Sequence, residues 1–138
     1  MPVITKKLGV ETAGNCDIVN ITKQVGDCLR EMEISHGIVT IFVPGATAAL
    51  TTLEYEPGLV KDLPELFDKL VPQGSYHHDQ TWHDNNGHAH LRASLLGPSL
   101  TVPFRSKDLL LGTWQQIVFI DFDTRPRRRE LILQFVGE

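Results

Sequence analysis

From Leu100 to the C-terminus the chain is a succession of short apolar, β-branched and aromatic runs separated by turn formers: LTVPF, RSKD, LLL, GTWQQIVFIDF, DTRPRR and ELILQFV. Such runs are short for helices, and branched and aromatic side chains suit a pleated, half-buried surface. The second half is therefore expected to be an antiparallel, β-rich assembly. IVTIFV at 38–43 is one more nearly continuous run, as expected of a strand covered on both faces, and Pro44-Gly45 breaks it. Residues 47–55 read as its partner.

The first third adds the helical part. Residues 3–10 and 17–21, separated by the turn-prone TAGN at 12–15, read as a hairpin. Thr22 then suits a helix cap, because Val25, Cys28, Leu29 and Met32 recur at the spacing of one apolar face, with Gly37 marking the end. Leu59, Leu63, Leu66, Phe67 and Leu70 draw a second amphipathic helix over 58–70, where Pro64 suggests an irregular first turn. Leu91, Leu95 and Leu96 allow a short third one. The expected fold is α+β: a single domain over 1–138, mainly antiparallel, with two to three short helices.

A chain of 138 residues with 41% hydrophobic and 22% charged residues can bury one sizeable core. Its formal net charge of -4 arises from interspersed charges, so no basic field exists to attract nucleic acid or an anionic membrane surface. With no long apolar run and no signal-like start, the expected location is the cytoplasm. Cys16 and Cys28 lack CxxC spacing and read as ordinary thiols in a reducing compartment.

The chemistry is concentrated between Gln73 and Gly87 and just beyond, a polar stretch too long for an idle loop. Five of the six histidines, His77, His78, His83, His88 and His90, fall in YHHDQTWHDNNGHAHL. No core needs that density. Neutral imidazole is the commonest nitrogen ligand of zinc, so the cluster reads as a metal site. His88 and His90 point the same way on an extended backbone, but diverge by about 200° on a helix. Joint ligation by the two therefore depends on a strand or turn there. Glu54, at a strand end before Tyr55 and Pro57-Gly58, is a candidate ligand or general base. Arg92 and Arg105 are candidate phosphate contacts. RPRRR at 125–129, flanked by Asp121, Asp123 and Glu130, reads as a solvated turn rather than a nucleic-acid patch. In the GTWQ segment Gly112 suits a turn, and Trp114 suits the core or a subunit interface.

Four segments together resemble the YjbQ family, also called the secondary thiamine-phosphate synthase family. They are TAALTTLEYEPGLVKD at 47–62, YHH with its later AH at 76–90, HLRASLLGPSLTVPF, and LGTWQQIVFIDFD at 111–123. The resemblance implies a β-rich α+β domain that assembles as a homotrimer, with a metal pocket near a subunit interface. It matches the family's histidine after Tyr-x to His78, the histidine before LRASLLG to His90, and the strand-end glutamate to Glu54. His88 matches a histidine of some members, and Asp62, Arg92, Trp114 and Gln115 also sit in family motifs.

The implied activity joins a phosphorylated thiazole to a pyrimidine with loss of pyrophosphate. Glu54 and His78 are its catalytic candidates, His78, His88 and His90 its metal ligands, and Arg92, Arg105 and Gln115 its contacts to a small phosphorylated molecule. The ion is zinc first, with nickel or magnesium as alternatives, since imidazoles favour the former and pyrophosphate chemistry the latter. Two other readings stay open: a hydrolase using metal-bound water with Glu54 as base, and a non-catalytic trimeric metal- or ligand-binding protein. One departure stands out. Many members carry His-Thr-(Thr/Ser)-Ala where this chain has Gly45, Ala46, Thr47 and Ala48, so a histidine and a hydroxyl are missing.

Overall fold

Along β8 (Arg127–Gly137), buried Arg129, Leu131, Leu133 and Phe135 alternate with more exposed neighbours. A strand with that alternation presents one face to a core. The structure, a computed structural model, describes residues 1–138. In it β8 is flanked by β1 (Val3–Thr12) and β3 (Gly37–Phe42), and beyond β3 lie β5 (Ser99–Arg105) and β6 (Asp108–Leu109). A second sheet has the order β2 (Asp17–Asn20), β7 (Gln116–Asp121), β4 (Ala48–Leu53), and every pairing in both sheets is antiparallel.

The two sheets pack face to face, and the contacts define three layers. Val39, Ile41, Leu131, Leu133 and Phe135 of the larger sheet meet Leu50, Ile117 and Phe119 of the smaller one. Helix α1 (Thr22–Arg30) joins this core through Val25 and Leu29, neither of which is exposed. On the opposite face of the small sheet, Ile18, Ala49, Val118, Ile120 and Phe122 pack against Phe67 of α2 (Pro57–Leu70) and Ala89 and Ala93 of α4 (Gly87–Leu96). The short α3 (His77–Trp82) lies beside α4. Helices α2 and α4 thus form a lid over the small sheet. The outer face of the large sheet has no helix over it.

The α+β class and the antiparallel second half are as expected, with four helices instead of two or three, because the polar stretch folds into α3. Two pairings and the burial of one strand differ from the sequence reading. Residues 3–10 and 17–21 form no hairpin: β1 pairs along its full length with β8, and β2 with β7. The turn between them carries the chain from one sheet to the other, through positive φ at Gly14, Asn15 and Cys16. A Cβ on Gly14 would lie 2.3 Å from the Arg125 carbonyl oxygen, so only glycine fits there. Residues 47–55 likewise do not pair with 38–43; β4 belongs to the other sheet and pairs with β7. Finally β3 is covered on one face only, since Ile38 and Phe42 remain 44% and 40% exposed.

Local signals were partly displaced as well. Thr22 opens α1, but its hydroxyl bonds the Asn20 side chain and accepts from Ile117 N–H instead of capping the helix. The helix ends at Arg30, and Gly37 starts β3. Helix α2 has a cap the sequence reading left out: Glu56 accepts from Gly58 N–H at 2.9 Å and from Leu59 N–H at 2.5 Å. Glu56→Ala is expected to lower stability by about 1 kcal/mol, measured as a shift of the urea midpoint at unchanged slope.

RPRRR is not a uniformly solvated turn. Arg129 is buried between the sheets, where its Nε and a terminal nitrogen each donate at 2.9 Å to Asp121, which is fully buried. Thr12 donates to the same carboxylate at 2.7 Å, and Arg129 also reaches Thr47 at 2.8 Å. Asp123 accepts from Thr47 and from Arg127. This polar lock closes the end of the sandwich beneath the histidine-bearing segment.

Candidate functional site

One carboxylate organises the histidine segment. Asp79 accepts from Tyr76 N–H at 3.1 Å with one oxygen and from Gly87 N–H at 3.0 Å with the other, so it ties the first turns of α3 and α4 together. The Tyr76 N–H holds its carboxyl below the usual range, and the Gly87 N–H adds to this against the opposing effect of burial. Gly87 permits the approach, since a Cβ there would lie 2.8 Å from the Tyr76 Cβ. Positive φ at His83 and Asn85 turns the chain between the helices. The N-terminal ends of both helices are thereby side by side.

That arrangement brings His78 of α3 against His90 of α4, with ring centroids 4.3 Å apart and planes inclined by 55°. His78 Nε2 lies 3.1 Å from the Asn86 side-chain amide and 3.7 Å from Asp84. His88 does not join them. Because residues 87–96 are helical, rings two positions apart diverge. His88 is 3% exposed, its Nε2 faces the Gln73 amide at 3.4 Å, and its Nδ1 has no hydrogen-bond partner. Burial, reinforced by the positive charge of Arg92, pushes its pKa down and keeps the ring neutral.

Arg92 is committed to holding α4 in place. At 4% exposure it donates from Nε to the Val71 carbonyl at 2.9 Å and from a terminal nitrogen to Asp68 at 3.2 Å, over the Phe67 ring. Glu54, Arg105 and Gln115 lie elsewhere. Ala48 lines a cleft with His90, whereas Glu54 follows the other end of β4, a strand length of roughly 20 Å away at about 3.3 Å per residue. There Glu54 shares a cleft with Asn20, Tyr55 and Trp114, which is 71% exposed. Gln115 pins that turn, accepting from Gly112 N–H and donating to Thr52. Arg105 ends β5, at the far end of the strand from Pro98 and the His90 cleft. Within one chain the structure unites His78 and His90, and none of the other candidates.

Two clefts flank the histidine pair. One, of about 220 Å³, is lined by His90 and by small residues including Gly45, Ala46, Ala48 and Ala93. The other, of about 420 Å³, has no apolar lining residue and is formed by Asp84, Asn86, Asp123, Thr124, Arg125 and Arg127. No three His, Cys, Asp or Glu side chains of the chain converge as a metal-ligand group. Around His78 Nε2 lie instead the Asn86 amide, whose nitrogen is placed to donate to His78 and to Asp84, and the Asp84 carboxylate at 3.7 Å. Asp79, Asn86 and the Asp121–Arg129 lock escaped the sequence reading. Only Asp79 had a local signal, an acidic residue three positions into a helix start. Both cysteines are free, and burial pushes the Cys16 thiol up to about 11, which removes it as a nucleophile.

Fold and site define an α+β protein of two antiparallel sheets with a helix-borne histidine pair over polar clefts. The chain belongs to the YjbQ-like UPF0047 family, whose profile, described as "UPF0047 protein YjbQ-like", matches residues 6–138. A UPF0047 protein of Archaeoglobus fulgidus is 43% identical over 129 residues, covering 93% of this chain and 98% of its own. UPF0047 protein YugU of Bacillus subtilis is 34% identical, covering 96% and 98%. Among solved structures, a YbjQ-like protein of unknown function from Sulfolobus solfataricus superposes with a TM-score of 0.92 at 32% identity, covering 99% of both chains. An uncharacterized conserved protein of the family from Clostridium acetobutylicum gives 0.86 at 32%, covering 95% and 99%. No helix of the structure is long and apolar enough to cross a membrane.

Proposed function

We propose that the chain is a cytoplasmic, metal-binding, phosphate-handling homotrimer with secondary thiamine-phosphate synthase activity. The observation that carries this reading is the His78–His90 pair, two imidazoles 4.3 Å apart and wedged between two clefts by Asp79. Histidines serving only the surface do not need helix ends held together by a shared carboxylate. A divalent ion at His78 would neutralise the charge of a leaving pyrophosphate. The chain's own residues orient the His78 ring through Asn86 and keep His88 neutral and out of the way.

The homotrimer is supported by the bare outer face of the large sheet. Val3, Val136, Ile38 and Pro103 form one apolar row across four strands, and Phe42 and Ile132 sit side by side in another. A neighbouring subunit covering this face removes apolar surface from water.

The test is the metal content of tag-free protein by elemental mass spectrometry. Near-stoichiometric transition metal is expected in wild type, with most of it lost in His90→Ala. The loaded protein is then expected to form thiamine phosphate from the phosphorylated thiazole and the pyrimidine diphosphate. Metal-poor wild type, even after incubation with zinc or nickel, rejects the metal site; metal without product leaves a trimeric metal-binding protein.

A further inference from the structure

Glu54, which the fold keeps apart from the histidines, lines a cleft of about 330 Å³ together with Tyr55, Glu56, Trp114 and the amide residues Asn20 and Gln116. No Lys, Arg or His is among the residues of this cleft. Its walls are fixed by bonds within the chain. Gln115 accepts from Gly112 N–H at 3.0 Å and donates to Thr52 at 3.2 Å, which ties the turn carrying Trp114 to β4. The Tyr55 hydroxyl donates to the Ile18 carbonyl at 3.0 Å, and Asn20 donates to Gln116 at 3.2 Å. Glu56 N–H donates to the Glu54 carbonyl at 3.1 Å and closes the turn between them. Ordering such turns and side chains costs conformational entropy, yet Trp114 stays 71% and Tyr55 43% exposed. Trp114 is thus held in place without serving the core.

The two carboxylates differ in what they already hold. Both oxygens of Glu56 are occupied by Gly58 and Leu59 N–H at the start of α2. Glu54 takes part in no ion pair of the chain. A phosphorylated ligand is repelled by such a cleft. A bare metal ion finds there only one uncommitted carboxylate, fewer oxygen ligands than a hard cation needs. An organic cation uses the remaining surface too, because the faces of aromatic rings carry partial negative charge and attract cations, tryptophan most strongly. We propose that this cleft binds a small N-alkylated organic cation, its positive centre against the Trp114 and Tyr55 rings and opposite the Glu54 carboxylate. The proposal stands apart from the metal reading, since the histidine pair contributes nothing to this cleft.

Choline and N-methylpyridinium are the probes, titrated by calorimetry into the whole chain and followed by Trp114 fluorescence in protein carrying Trp82→Phe. Saturable binding is expected, weakening as salt is added. Dimethylbutanol, the uncharged isostere of choline, is expected to bind at least about tenfold more weakly. Trp114→Leu is expected to weaken choline binding about 3- to 30-fold, the range of a cation–ring contact. For Glu54→Gln the expected loss is about 2- to 5-fold, that of an exposed ion pair. Neither change should move the urea midpoint, and Trp82→Phe should keep wild-type affinity. Equal affinity for the uncharged isostere, or wild-type affinity in both Trp114→Leu and Glu54→Gln, overturns the proposal. So does the absence of saturable binding of either cation. Trp114 emission that acrylamide does not quench in Trp82→Phe protein overturns it in favour of a subunit contact at this cleft.

Discussion

Asp121→Ala is expected to lower the free energy of unfolding by about 3–5 kcal/mol, the usual cost of removing one partner of a buried ion pair. Asp121 is fully buried and receives two nitrogens of Arg129 at 2.9 Å and the Thr12 hydroxyl at 2.7 Å. Its loss leaves a guanidinium between two sheets with Asp123 at 3.9 Å as the nearest remaining charge. Since domains of this size are stable by only about 5–15 kcal/mol, the variant gives up a large share of the total. Urea unfolding measures the loss. Asp121→Leu combined with Arg129→Met should recover most of it, because the penalty belongs to the orphaned charge rather than to the absent bridge.

The same pair sets an acid limit. Burial alone would raise the Asp121 pKa, but hydrogen bonds from Arg129 and Thr12 more than offset it, so the folded value lies below the usual one. A carboxyl with a depressed folded pKa contributes stability that is complete above its unfolded value of about 3.9 and is lost as pH falls through the folded value. Wild type should therefore lose stability steeply below about pH 4. Asp121→Ala, already less stable at neutral pH, should show a shallower acid limb in the same unfolding series.

Phe122→Ala is expected to cost about 3–5 kcal/mol and to take the candidate site with it. Phe122 is buried in the core between the small sheet and the helices, edge-on to Phe67 at 5.0 Å and 72°. Phe67 in turn lies under the Arg92 guanidinium that anchors α4. Emptying that position removes the support on which α4 rests, and α4 carries His90. The urea midpoint should fall, and the metal content of the folded protein at low temperature should fall too, whereas Glu56→Ala at the start of α2 should leave metal content intact. Equal metal content in Phe122→Ala and wild type would show that the histidine pair is held by Asp79 alone.

Strand identity in the second half was readable from local pattern, because a run such as QIVFID has no alternative to burial on both faces of a sheet between two cores. Partner choice was not readable. TAGN and Pro44-Gly45 were recognised as breaks, but a break that folds back and a break that changes sheets have the same turn chemistry. Likewise the histidine cluster is visible as composition, and joint ligation by His88 and His90 depends on whether the backbone there is helical or a strand or turn. Helical backbone at Gly87–Leu96 settled that choice and separated the two rings.

By itself, then, the sequence determined the class of fold, the helices α1 and α2, the place where polar chemistry gathers and the family. These depend on periodicity, turn formers and motif, all of which are local. Only the tertiary structure decided which strands pair, that Arg129 leaves its basic run to meet Asp121, that Asp79 joins two helix ends, and that Asn86 and Asp84 meet His78 while Glu54 stays a strand length away. Each of these is a contact whose energy depends on burial and on a partner elsewhere in the chain, and no local pattern encodes where that partner will be.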